Sequence, residues 1–203
     1  MFPVLKSISC FFLLILFFLQ AKFCHPQNAN PNSEIDEAKK KAVYIYAFTK
    51  YIRWDDQDKL PVFSMGVLGN EPYLVTALEE IAEKKKVGMV PNQKPLVIKT
   101  FKSIDEIKDV QMLYVNKKSG FDIDTIFLKI TGTGALLITE NYPYQTSMIN
   151  FIQLGNFQKF EYNRKKIIAE NMKIAYEVDE FAVTSYEDWR SLVTDRESKL
   201  KKE

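Results

Sequence analysis

The chain has 203 residues, 46% of them hydrophobic and 27% charged, a globular composition that is neither disordered nor collagen-like. Of its 28 basic residues, Lys6 and Lys22 lie in an apolar leader with no acid; without them 26 basic residues face 26 acidic ones, and a neutral chain lacks the electrostatic footprint of a nucleic-acid binder. Cys10, Cys24 and the only histidine, His25, sit in the same leader, so the trimmed chain forgoes Ser-His-Asp and Cys-His catalysis, Cys/His zinc sites, haem axial histidine, redox dithiols and disulfides.

Residues 1–29 read as a signal peptide. Lys6 supplies the positive start, and Ile8 to Leu19 is almost entirely apolar. About a dozen such residues is the length of a signal-peptide core and short for a membrane span, the alternative being an N-terminal anchor. Cleavage falls between 21 and 29, where Ala21, Cys24 and Ala29 are the small residues on offer. Lys22 and Phe23 are the wrong shape for a lipobox, which argues against lipid anchoring through Cys24. The Pro/Asn-rich stretch HPQNANPN, His25–Asn32, reads as a spacer without periodicity, and residues 30–33 as the linker past the leader.

One domain is expected over 34–183. Ser33 and Asp36 cap a helix to about Arg53, with Ile35, Ala38, Ala42, Ile45, Phe48 and Ile52 at helical spacing. Tyr44, Phe48 and Tyr51 add a second stripe, so the helix is apolar around much of its girth. Val62 to Leu68 reads as a strand, and Pro72 opens a helix to about Lys86. Pro95–Thr100 and Gln111–Val115 read as strands around a short helix, 103–108. A helix over Phe121–Ile130 and a strand over Gly134–Thr139 follow. Met148–Leu154 and Phe157–Tyr162 form a hairpin across Gly155-Asn156. A short helix, 164–170, precedes a strand, 172–178, and a charged C-terminal helix over 184–203, with Trp189, Leu192 and Val193 as its few apolar anchors. Strands alternating with helices predict an α/β fold: a mixed, mainly parallel sheet flanked by helices, with a C-terminal antiparallel hairpin.

Chemistry-bearing motifs are scarce. Gly132-Thr133-Gly134 follows a helix and opens a strand, the reverse of a dinucleotide fingerprint, so it reads as a turn. The acidic doublets Asp55-Asp56, Glu79-Glu80, Asp179-Glu180 and Glu187-Asp188 sit at element ends or on charged faces, and nothing selects a catalytic pair among them. The basic runs Lys84–Lys86 and Arg164–Lys166 read as solvated faces. No cofactor and no metal site is expected. The aromatic cluster is more informative. Phe48 reads as core. Tyr46 lies off the apolar stripe, and Trp54 ends the helix at an acidic loop; each reads equally as a core edge or a contact residue. Asn150, inside the apolar run MINFI, reads as buried in a network with Glu161 or Asn163 ahead of a ligand contact.

Several blocks together carry a resemblance: KAVYIYAFTKYIRW (Lys41–Trp54), VFSMGVLGNEPY (Val62–Tyr73), MLYV, ALLITE, SMINFI and KFEYN (Lys159–Asn163). In this order they resemble the YfiR/HmsC-like family of exported proteins, over approximately Lys41 to Ala182. The resemblance implies a periplasmic α/β domain without enzymatic activity. Its best-known members bind the periplasmic sensor region of a membrane diguanylate cyclase and hold it inactive, linking envelope signals to cyclic-di-GMP and biofilm. Carried over, the aromatic helix falls at Tyr44, Tyr46, Phe48, Tyr51 and Trp54, the M-I-N-F amide at Asn150, and the F-E-x-N acid and amide at Glu161 and Asn163. Ala47 stands where the family often has Asn, and Asp55 where it often has Pro. Control through disulfides, as in some members, is not available to the cysteine-free mature chain.

The partner or ligand contacts so expected are Tyr44, Tyr46, Tyr51, Trp54, Asn150, Glu161 and Asn163. The expected partner is the extracytoplasmic domain of a membrane signalling protein, with no nucleic acid and no membrane insertion after processing; a homodimer stays open. The alternative is a small-ligand binding protein with an aromatic-lined cleft near strand ends, and a third reading is an enzyme using carboxylates alone.

Overall fold

The computed structural model describes residues 31–89, 91–143, 147–155 and 157–186. The leader and nearly all of the expected C-terminal helix lie outside the described residues. The compact unit starts at Ile35.

Helix α1, Pro31–Tyr51, buries Ala38, Ala42, Ile45 and Phe48 on one stripe. It stops two residues short of the expected end. The chain instead becomes extended in β1, Ile52–Trp54, which pairs antiparallel with β9, Met172–Ile174. Ile52 and Trp54 face inward and Arg53 outward, a strand alternation. The Tyr51 carbonyl, free at the helix end, accepts from the Ala175 N–H at 2.8 Å.

Strand β2, Phe63–Leu68, is buried at all six positions, as a parallel strand covered on both faces requires. At Gly66 a Cβ would lie 2.7 Å from Phe101 Cε2, so a bare backbone is what lets that ring close over the strand. Helix α2, Pro72–Lys84, has Pro in its first turn and buries Leu74, Ala77 and Leu78. Next come β3, Lys86–Val87, and β4, Lys94–Phe101, paired antiparallel, with β4 parallel to β2. The chain then crosses to the other side of β2 for β5, Met112–Asn116.

Helix α3, Ile123–Ile130, is capped by Asp122, whose carboxylate accepts from the Thr125 N–H at 3.0 Å. Strands β6, Leu136–Glu140, and β7, Ile149–Leu154, continue the parallel series. Strand β8, Phe157–Asn163, returns antiparallel to β7 as the expected hairpin, with Leu154 opposite Phe157. Helix α4, Arg164–Ala169, follows.

The last stretch differs from expectation. The strand expected over 172–178 ends at Ile174 and gives way to a 3-10 turn, Tyr176–Glu180. Where a helix was expected from Ser185, Thr184–Tyr186 forms β10, parallel to β8. The outer edge of β8 offers unpaired backbone groups, and three residues of β10 satisfy them.

The main sheet runs β10–β8–β7–β6–β5–β2–β4–β3, a mixed and mostly parallel α/β sheet as expected. The chain moves from β2 to β4 on one side and then to β5 on the other. Such a reversal opens a crevice at the carboxyl ends of the strands on either side of it, here β2 and β5.

Candidate functional site

The seven expected contact residues fall in five places. Tyr44 and Tyr51 lie along one face of α1, Tyr44 against the sheet and Tyr51 against the end of the 3-10 turn. Tyr44 packs edge-on against Phe151 and Phe160, each at 6.2 Å between ring centroids, and Tyr51 lies 5.9 Å from Phe181. Between them runs an apolar groove of about 180 Å³, lined by Val43, Tyr44, Tyr51, Phe160, Val178 and Phe181 among others. Phe48 forms its floor and is core, as expected. The far wall is pinned by charge. Tyr162 donates to the Asp179 carboxylate, which Arg164 also holds at 3.2 Å. Burial first, and then that carboxylate, push the Tyr162 phenol up to about 12.

Tyr46 points elsewhere. Its hydroxyl donates to the Lys86 carbonyl at 3.0 Å, and the Lys50 ammonium lies 5.6 Å from its ring centre. Burial pushes its phenol up.

Trp54 is a correction. It is 6% exposed, packs edge-on against Phe63 at 4.8 Å, and donates its indole N–H to the Gly134 carbonyl at 2.9 Å. Ending α1 at Tyr51 puts Trp54 on the inward side of β1, so it is a core residue and not a surface contact.

Asn150, Glu161 and Asn163 serve the fold. Asn150 sits opposite Glu161 across β7–β8 and opposite Thr139 across β6–β7. Its amide donates to Glu161 Oε1 and to the Tyr142 carbonyl, both at 2.9 Å, and its oxygen accepts from Thr139 Oγ1 at 2.7 Å. This ties three strands together, and it is the network expected with Glu161. Asn163 is not part of it. Asn163 caps α4 by accepting from the Lys166 N–H at 3.0 Å.

Gly132-Thr133-Gly134 is a turn, and its amides are already taken. The buried Glu170 carboxylate accepts from the Gly132 N–H at 2.8 and 3.0 Å and from the Gly134 N–H at 3.3 Å, so the protein's own acid occupies the place a phosphate would need.

The structure also assembles a polar cluster that sequence reading missed. Asn116 ends β5 directly beside Glu140, which ends β6. Lys41 of α1 and the Tyr114 hydroxyl both donate to Glu140 Oε2, and Asn116 Nδ2 approaches the same oxygen at 3.3 Å. Burial and the Glu140 carboxylate push the Tyr114 phenol up. Glu71, at the start of α2, completes the group. Burial raises its carboxyl above the usual glutamate range and Glu140 adds to this, against opposition from Lys41, Asn116 and Lys118. The cluster lies at the crevice predicted by the strand crossover, beside an open mouth of about 740 Å³ lined by Gly69, Glu71, Phe101, Lys102, Ser119 and Phe121 among others. Asn116, directly after the block MLYV, and Glu140, the last residue of ALLITE, did carry a signal, a polar residue closing each buried strand. Register and helix placement were needed to bring them to Lys41.

This arrangement makes Glu71 a pH sensor of stability. Because the folded state holds its proton more tightly than the unfolded chain, the native protein is favoured below the ordinary glutamate pKa and loses that advantage as pH rises through the raised value. Glu71→Gln should therefore be more stable than wild type at neutral pH, with the two converging near about pH 4. Urea midpoints at both pH values check this; a variant less stable at neutral pH would refute it.

Among the described residues no helix is long and apolar enough to cross a membrane, and no cluster of three metal-ligating side chains occurs. The sequence profile of the YfiR/HmsC-like family matches residues 38–182, so the chain belongs to that family. No curated protein matches it.

Proposed function

We propose that this member of the YfiR/HmsC-like family is an exported, non-catalytic regulator. It binds the extracytoplasmic domain of a membrane signalling protein, such as a diguanylate cyclase or a sensor kinase, and shifts that protein's population toward one state. The observation that carries this reading is the apolar groove along α1. Tyr44 and Tyr51 are half-buried, and Phe181 and Val43 are 49% and 60% exposed beside them. Large aromatic side chains around an apolar depression are the usual anchors of a protein interface, and a few of them carry most of its energy.

Truncating such an anchor should weaken binding without loosening the fold. The double variant Tyr44→Ser/Phe181→Ser is expected to lose about tenfold or more in partner capture from envelope extracts. Its melting temperature should change little, because neither side chain is fully buried. Capture by the wild type of no membrane protein with an extracytoplasmic domain would refute the proposal.

A second reading, small-ligand binding at the strand-end mouth, draws on one observation: Phe101 and Phe121 line the mouth together with Glu71 and Ser119. A thermal-shift screen separates the two readings, since a ligand raises the melting temperature in step with its saturation.

A further inference from the structure

On a different face of α1 from the groove, its last turn and the acidic loop after β1 enclose a pocket of about 310 Å³ with the β3 edge. Its lining includes Gln57, Gly88 and Met89, and its charged side chains are Lys50, Arg53, Lys86 and Asp58. Asp58 reaches Arg53 only at 3.5 Å, and both side chains are more than half exposed, so it offsets little of the positive charge.

Gln57 sets this pocket apart from an ordinary basic surface. It is only 7% exposed, and since no buried side-chain N or O among the described residues lacks a partner, what its amide leaves unpaired opens onto the pocket. An amide can both donate and accept, so it can meet a ligand seated there, whereas the amide of Asn150 is wholly used within the fold. Gly88 stands across from it with φ +99°, where a Cβ would lie 3.2 Å from Gln57 Nε2. The wall opposite the amide thus carries no side chain. Tyr46, fixed by its bond to the Lys86 carbonyl, offers a flat aromatic surface, and the exposed Met89 adds apolar area.

We propose that this pocket binds a small organic anion: a carboxylate or phosphate joined to a flat apolar body. Lys50, Arg53 and Lys86 hold the charged group, Gln57 supplies a hydrogen bond from the floor, and the body lies along Tyr46. Three cations against one exposed carboxylate select an anion over a cation. The site does not depend on the α1 groove, so a failure here would leave the regulatory reading intact, and the converse holds.

Calorimetric titration of the processed protein with phenyl phosphate, benzoate, benzamide and benzylamine tests the proposal. At least one of the two anions should bind saturably at one site, and the tighter of the two identifies the preferred charged group. Benzamide and benzylamine should bind at least about tenfold more weakly, and salt near ~0.5 M should weaken the anions. Lys50→Gln/Arg53→Gln, which changes only exposed side chains, should cost about tenfold or more in anion affinity. Gln57→Leu should do the same; should it fail to fold, the exposed pair decides alone. Three results would each overturn the proposal: neither anion saturating by about 10 mM, neutral or cationic probes binding as well as the anions, or anion binding unchanged in Lys50→Gln/Arg53→Gln.

Discussion

Trp54→Ala is expected to cost about 3–5 kcal/mol of stability, the range for emptying an aromatic site in a packed core. The indole lies edge-on over Phe63 and closes the space beneath the β1–β9 ribbon. Removing it leaves a cavity and deprives the Gly134 carbonyl of its 2.9 Å partner. That turn is also held by Glu170, so it cannot collapse freely to fill the gap. Trp54→Phe restores much of the packing but not the hydrogen bond, and should cost about 1–3 kcal/mol. Urea unfolding checks both, with the midpoint shifted and the slope unchanged. A loss below about 1 kcal/mol for Trp54→Ala, within the range of a surface substitution, would put Trp54 back at a binding surface.

Lys41→Met should be comparably damaging, at about 3–5 kcal/mol, because breaking a buried ion pair strands the other charge. The Lys41 and Glu140 side chains are only 10% and 14% exposed. Without the ammonium, the Glu140 carboxylate faces Glu71 and keeps only the Tyr114 and Asn116 donors. The double variant Lys41→Met/Glu140→Gln removes both charges and should recover much of the loss. A double-mutant cycle measures the coupling directly. A coupling near zero, with Lys41→Met costing under about 1 kcal/mol, would mean that solvent screens this pair as it does an exposed one.

These two residues show where sequence reasoning reached and where it stopped. Trp54 was visible as an amphipathic aromatic at an element end, but the end was misplaced by two or three residues. Ile52 fits the helical period as well as it fits a strand, and what decides between them is pairing with Met172–Ile174, more than a hundred residues later. The same holds for β3 and β10. Segments of two or three residues carry no readable period, and they are strands only because a neighbouring edge accepts them. Asn150 was legible because a polar residue within MINFI has to find partners, and Glu161, opposite in the hairpin, was near enough in sequence to name. Lys41 and Glu140 are 99 positions apart, and no local pattern links them.

By itself the sequence determined the α/β class, the order of the long elements, the buried strands and the poverty of imidazole and thiol chemistry. Each of these follows from residue type and short-range period. Only the tertiary structure decided that Trp54 is core, that Lys41, Glu71, Tyr114, Asn116 and Glu140 share one crevice, and that Gln57 faces a basic pocket. Those facts depend on sheet order and register, which are set by the packing of distant segments against one another and leave no trace in the residues on either side.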